Sequence, residues 1–353
     1  MNLLIKDCVH VGELLYCISR DFNLVFSYNL SSENIELLTS IPGECANETE
    51  VCGAIDFYEG KLLLLPNKTN HIWIYDLEGK KLSRIERKDL PHYGSGGMLQ
   101  TVRNGRAIYM IGSSYPAMIR LDMENRDIKY ITAPFEDVNK RIKNIDDAYF
   151  RTHHAIKENN IYMASCLDNY ILRFSIIDES YEWLKVGRAD QKYAGIDYDG
   201  KNFWMAPRKS GTIVAWDGKN RYEEILLPEG GIMRDYSYLS AVCFEDKVYI
   251  PNQCDAQSIE ISSDGVKLIE KQIVFMKKTR GNEMIYQLAD GEGWISCLGN
   301  NRKISLEFDA IALQDFFLKN NVVLFNNRDV IVESEIRSLD MFIKFVSCKS
   351  GEI

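Results

Sequence analysis

Residues 193–228, YAGIDYDGKNFWMAPRKSGTIVAWDGKNRYEEILLP, constrain the chain more than any other stretch. They hold four short β-type runs separated only by turns. AGIDY ends at Asp199-Gly200, NFWMAP ends at the polar loop RKSG, TIVAWD reaches Asp217-Gly218, and RYEEILLP closes the unit. Runs of four to six residues joined by Asp-Gly and short polar loops read as an antiparallel four-stranded meander. A meander of that size cannot bury both of its faces alone, so it needs copies of itself on either side.

The copies are present. An aromatic or aliphatic residue precedes a small polar one at Tyr28-Asn29, Tyr75-Asp76, Leu121-Asp122, Phe174-Ser175, Trp216-Asp217, Ile261-Ser262 and Phe308-Asp309. Each pair is read as the end of a third strand. Their spacings of 47, 46, 53, 42, 45 and 47 residues define seven units. First runs recur as GAIDF at 53–57, HAIKE at 154–158, AGIDY at 194–198 and SAVCF at 240–244, with Gly or Ala before Ile or Val. Small residues there suit an innermost strand crowded near an axis. Pro66, Pro207 and Pro251 mark second-strand ends, because proline cannot donate to a ladder.

The chain therefore resembles the β-propeller superfamily over residues 3 to about 310. The expected fold is all-β: a seven-bladed β-propeller of four-stranded antiparallel blades at 1–310, with a short α/β C-terminal tail at 311–353 that closes or flanks the ring. The per-blade signatures of WD and Kelch repeats and the sialidase Asp-box are absent, Trp-Asp occurring once, at Trp216-Asp217. Gly195-Ile196, Asp199-Gly200 and Trp204 echo the streptogramin lyase-like rhythm in one unit only. No catalytic residue is carried over from any of these families.

Composition bounds the rest. No window reaches the roughly 18 apolar residues of a membrane span, and MNLLIKDCVHVGELLY alternates like a strand and lacks a signal peptide's apolar core and cleavage site. Nine cysteines, an odd number without a CxxC pair, read as reduced thiols in a cytoplasmic protein. A net charge of -9 argues against a general nucleic-acid binder. No cofactor is expected: GSGG at 94–97 lacks the lysine and helix of a phosphate loop, and no GxSxG elbow occurs.

In chain order, four runs at Leu3–Pro42 predict that the N-terminus begins a whole blade. The insertion PFEDVNKRIKNIDDAY, 134–149, places Val138, Ile142 and Ile145 at helix-like spacing and predicts a short amphipathic turn or helix over one face. Unit six is expected at 236–275 and unit seven from 283, with GWISCL and KISLEFD as its second and third strands. IALQDFFLKNN then reads as a helix, and a strand within 322–336 is expected to supply the missing outer strand, since an open edge is a liability.

In such a topology the connections between blades and the second-to-third loops share one end, here called the connection end. It is expected to gather Arg151, His153, His154, Tyr193, Arg208, Arg234, Tyr236, Arg280 and Asn282 as ligand-binding residues. Arginine and tyrosine converging there suit an anionic or sugar-like ligand. His153 and His154 are adjacent strand residues and point to opposite faces, which makes them poor joint ligands for one metal ion. Asp56 and Asp197 recur at one repeat position, which favours backbone bonding over acid–base work. Two functions fit: a binding or assembly module presenting a cationic, aromatic end to a protein, peptide or glycan, or a lyase, hydrolase or epimerase with its active site at the channel mouth.

Overall fold

The computed structural model describes residues 1–208, 211–229, 238, 240–252, 257–279, 283–297 and 300–324. The fold is a seven-bladed β-propeller built from seven four-stranded antiparallel sheets. Sheet one comprises β1 (Ile5–Val11), β2 (Leu14–Ser19), β3 (Val25–Asn29) and β4 (Ile35–Thr39), and sheet two β5 (Cys52–Tyr58), β6 (Lys61–Pro66), β7 (His71–Asp76) and β8 (Lys81–Glu86). Sheet three has β9 (Met98–Asn104), β10 (Ala107–Gly112), β11 (Met118–Asp122) and β12 (Ile128–Ile131). After helix α1 (Ala133–Arg141), sheet four has β13 (Ala155–Lys157), β14 (Asn160–Ala164), β15 (Tyr170–Ser175) and β16 (Tyr181–Lys185). Sheet five has β17 (Tyr193–Tyr198), β18 (Phe203–Pro207), β19 (Thr212–Trp216) and β20 (Tyr222–Leu226). Sheet six has β21 (Val242–Phe244), β22 (Lys247–Ile250), β23 (Ser258–Ser262) and β24 (Gly265–Ile269), and sheet seven β25 (Ile273–Lys278), β26 (Met284–Leu288), β27 (Gly293–Cys297) and β28 (Asn300–Ile304), followed by α2 (Ala310–Lys319).

The chain forms two compact units. Unit one is Met1–Arg87 with Asp290–Ile295 and Asn301–Ile353; unit two is Lys88–Ala289 with Ser296–Asn300. In unit one, Tyr16, Ile18, Ile55, Leu62, Leu64 and Trp73 form the core between sheets one and two. Within unit two, the first strands of successive sheets, β13, β17, β21 and β25, lie against one another, while β16, β20 and β24 carry the half-exposed outer positions. The small residues of the first runs, Ala155, Gly195 and Ala241, are buried at these crowded contacts.

A first strand has one edge without a ladder partner, and an aspartate from the preceding sheet fills part of that deficit. The Ile55 N–H donates to Asp7 Oδ2 at 2.9 Å, and the Cys243 N–H donates to Asp197 Oδ2 at 2.7 Å. The Phe57 and Tyr198 N–H groups donate to Asp56 and Asp197, each at 2.8 Å. The repeated acids thus bond backbone, as their repetition implied.

The insertion after sheet three does form a helix, shorter than its pattern. Phe135 and Val138 of α1 are buried with Tyr109, Met118, Met163 and Phe174, and Ile142 and Ile145 pack beside them as irregular chain. Arg141 at the helix end lies 4.5 Å from the rings of both Tyr170 and Trp183 and ion-pairs with Asp168 at 3.0 Å, which pins the insertion to sheet four.

Sheet seven corrects the sequence reading. Its first strand is β25, which the sequence assigned to the end of unit six, and β28 is its own fourth strand. No strand from 322–336 is therefore needed; residues 325–353 lie outside the described residues. Phe308-Asp309 does not end a strand. Asp309 is the N-cap of α2, its Oδ1 accepting from the Ala312 N–H at 2.8 Å. Replacing Asp309 by Ala is expected to cost about 1 kcal/mol, seen as faster amide exchange across 310–319; unchanged exchange would show that packing alone holds the helix.

Candidate functional site

The connection end of unit two is built around one buried ion pair. Arg208 follows Pro207 at the end of β18 and is fully buried. Its Nε donates to Asp147 Oδ2 at 3.0 Å and its Nη2 to Oδ1 at 2.7 Å, a two-point grip that joins sheet five to the connection between sheets three and four. Asp147 Oδ1 also accepts from the Ala148 N–H at 2.7 Å, and Arg151 Nη2 stands 3.5 Å from it. Arg151 keeps 27% of its side chain exposed. Cys166 lies in the same surroundings, and burial pushes its thiol up to about 11 against the opposing pull of Arg208 and Arg151. It is an inert thiol, not a nucleophile.

The two histidines lie just before β13, not within it, and make separate contacts. His153 Nε2 is 3.0 Å from the Met276 carbonyl on β25, which can only accept, so Nε2 carries the proton and Nδ1 accepts from the Thr152 hydroxyl at 3.1 Å. Burial holds the imidazole down at about 4, with Lys277 adding to the effect and the Met276 carbonyl partly offsetting it. His153 is thus neutral at pH 7 with both ring nitrogens engaged. His154 Nδ1 donates to Gln100 Oε1 at 2.7 Å, and the Gln100 amide donates in turn to the Arg151 carbonyl. Among the described residues no group of three His, Cys, Asp or Glu side chains could hold a metal ion.

Two expected ligand-binding residues take structural roles. Tyr193 is buried, with its hydroxyl donating to the Val186 carbonyl at 2.7 Å, and burial pushes its phenol far above the ordinary range. It is a packing residue. Arg208 is sealed against Asp147 and presents nothing to solvent. Arg280 and Asn282, like Arg234 and Tyr236, lie outside the described residues. The structure therefore gathers Arg151, His153, His154 and Arg208 with Asp147, whose carboxylate the sequence sets apart from the repeated acids, and adds Gln100, for which no motif gave notice.

The expected cationic character also dissolves into pairs. Arg188 bonds Asp190 at 3.2 Å and Glu224 at 2.9 Å, as Arg208 and Arg151 share Asp147. What remains exposed carries both signs: Lys88, Asp89, Lys143 and Asp146, with Tyr93 at 46% exposure.

No family model matches the chain, and no curated protein matches it. Solved structures do. A catalytically inactive virginiamycin B lyase from Staphylococcus aureus with quinupristin superposes with a TM-score of 0.61 at 10% identity, covering 81% of this chain and 92% of that one. The mitotic checkpoint complex contains a chain similar at a TM-score of 0.56 and 10% identity, covering 88% and 87%. PorZ, a surface component of the type-IX secretion system of Porphyromonas gingivalis, reaches 0.57 at 10% identity, over 87% of this chain and 39% of its own. The likeness is one of fold. At such identities these three proteins carry no residue role to this chain.

Proposed function

We propose that the protein is a cytoplasmic binding or assembly module that presents the connection end of unit two to a protein or peptide partner. The observation that carries this reading is the state of the candidate base. His153, one of the two histidines an enzyme at this end could use, has both nitrogens engaged and is held neutral well below pH 7, and His154 Nδ1 is bound to Gln100. A general base needs reach to a substrate proton and a pKa near the working pH, and His153 offers neither. The exposed groups instead mix both charges with an exposed tyrosine, the composition of a polar protein-binding surface and not of a pocket for a small anion. Buried thiols at Cys8, Cys17, Cys52, Cys166 and Cys243 support the cytoplasmic assignment.

The test compares two sets of surface variants in cells by quantitative cross-linking and mass spectrometry. One set changes the connection end (Lys88→Glu, Tyr93→Ala, Lys143→Glu); the other changes first-to-second turns at the opposite end (Glu158→Lys, Glu245→Lys). The first set is expected to lose a cross-linked partner at least tenfold while the second retains it. The reverse pattern would mean that the wrong end was chosen. A turnover activity abolished by His153→Gln but untouched by the surface changes would establish an enzyme instead.

A further inference from the structure

Cys8 and Cys17 stand directly opposite each other on β1 and β2. Neither is disulfide-bonded, and both are buried, at 2% and 0% exposure. Their hairpin turns at Gly12-Glu13, with Gly12 at φ +60°, and closes on the pair Val11–Leu14. In a two-residue hairpin the closing pair exchanges both backbone hydrogen bonds, and bonded and non-bonded pairs alternate from there. Counting back through His10–Leu15 and Val9–Tyr16 makes Cys8–Cys17 a non-bonded pair. Such pairs bring the Cα atoms to about 4.5 Å with the side chains turned toward each other, inside the roughly 4.4–6.8 Å that a disulfide spans. Of the other strand cysteines, Cys52 opposes Pro66 and Cys243 opposes Val248.

We propose that Cys8 and Cys17 form a reversible dithiol–disulfide couple, a modification site that fastens β1 to β2 and is independent of the binding end. The oxidant is of the hydroperoxide class. Because both thiols are buried, the reaction runs when local opening of the hairpin exposes them: one thiolate then attacks the peroxide, breaking the O–O bond to leave a sulfenic acid and an alcohol, or water from hydrogen peroxide. The second thiol then displaces water and forms the Sγ–Sγ bond. Two thiols lose two protons and two electrons in total, and the peroxide takes them up. A dithiol reductant reverses the step. The placement gives the bond a consequence. β1 continues from the N-terminal segment whose Leu3 N–H donates to the Leu306 carbonyl at 2.9 Å and whose Met1 carbonyl accepts from the Phe308 N–H at 2.8 Å. Oxidation would hold β1 on its sheet when that terminal contact opens.

The experiment uses the full chain. Wild type is treated with a small excess of hydrogen peroxide, denatured in an alkylating reagent and digested with trypsin, which cleaves after Lys6 and Arg20 and leaves both cysteines in one peptide, DCVHVGELLYCISR. The expected product is that peptide without adducts and about 2 Da lighter than the dithiol form, with seven of the nine cysteines alkylated. Dithiothreitol should restore nine. Amide exchange across Ile5–Ser19 should slow at least tenfold in the oxidised wild type and stay unchanged in peroxide-treated Cys8→Ser. Two alkyl adducts on the peptide after peroxide, sulfinic or sulfonic products, or a bond from either residue to a third cysteine would overturn the proposal. The peptide result on wild type decides it even where a serine variant fails to fold.

Discussion

Arg208→Met is expected to lose roughly 3–5 kcal/mol of folding stability, because removing one partner of a buried ion pair strands the other. Asp147 is 4% exposed, and without the guanidinium its carboxylate keeps the Ala148 N–H and a distant Arg151 as compensation. Asp147→Leu takes the two-point acceptor from a guanidinium that has no exposed surface through which to recover hydration. The double variant Arg208→Met with Asp147→Leu is expected to regain most of the loss, because two apolar groups of similar volume are neutral or stabilising where such a pair is removed whole. Urea unfolding of the four proteins gives the coupling. Single variants within about 1 kcal/mol of wild type would mean that water reaches the pair and screens it. The pair's position explains its retention better than its energy does. It fixes the chain at 147–151 against the end of β18 and so sets where Arg151 emerges beside His153 and His154. In the double variant the fold should survive while partner cross-linking at the connection end weakens.

What was legible in the sequence was local. Asp-Gly turns, small residues entering first strands and prolines ending β6 and β18 each act within a few positions, so repetition exposed them. The misassignment in sheet seven has the same origin. β25 reads IVFMKK and lacks the Gly or Ala of other first strands, while Phe308-Asp309 satisfies the third-strand pattern because an aspartate after a hydrophobic residue serves equally at a strand exit and at a helix N-cap. The count of seven held; the register of the last unit did not. The site was less legible still. Nothing local tells that Arg208 finds its carboxylate 61 positions away, that Tyr193 turns inward to Val186, or that His153 meets a main-chain carbonyl 123 positions on. An arginine or tyrosine in a loop reads as a ligand group until its partner is known, and partners of that separation are fixed only by how the sheets assemble.

Between pH 4 and 6 the titrations of His153 and Asp197 are expected to oppose each other almost completely. His153 is held near 4, mainly by burial, against 6.5 for the free side chain. Over that interval the unfolded chain holds a proton that the folded one refuses, so this contribution is complete above pH 6.5 and is lost as pH falls, by about 3 kcal/mol at most. Asp197 is raised from 3.8 to about 6 by burial, with the Cys243 and Tyr198 N–H groups and Lys278 pulling the other way. Here the folded chain holds the proton first, so acidification from pH 6 to 3.8 adds stability of similar size, again about 3 kcal/mol at most. Wild type conceals both. Relative to wild type, His153→Gln should gain stability steadily as the pH is lowered through the window, whatever its offset at pH 7. Asp197→Asn should lose stability over the same interval, and the double variant should run parallel to wild type. Taking each variant's difference from wild type cancels the exposed carboxylates common to all four proteins, so urea midpoints at fixed ionic strength from pH 4 to 7 suffice. Differences that stay flat for both single variants would mean that both groups are hydrated in the folded chain, and His153 would then regain its standing as a base.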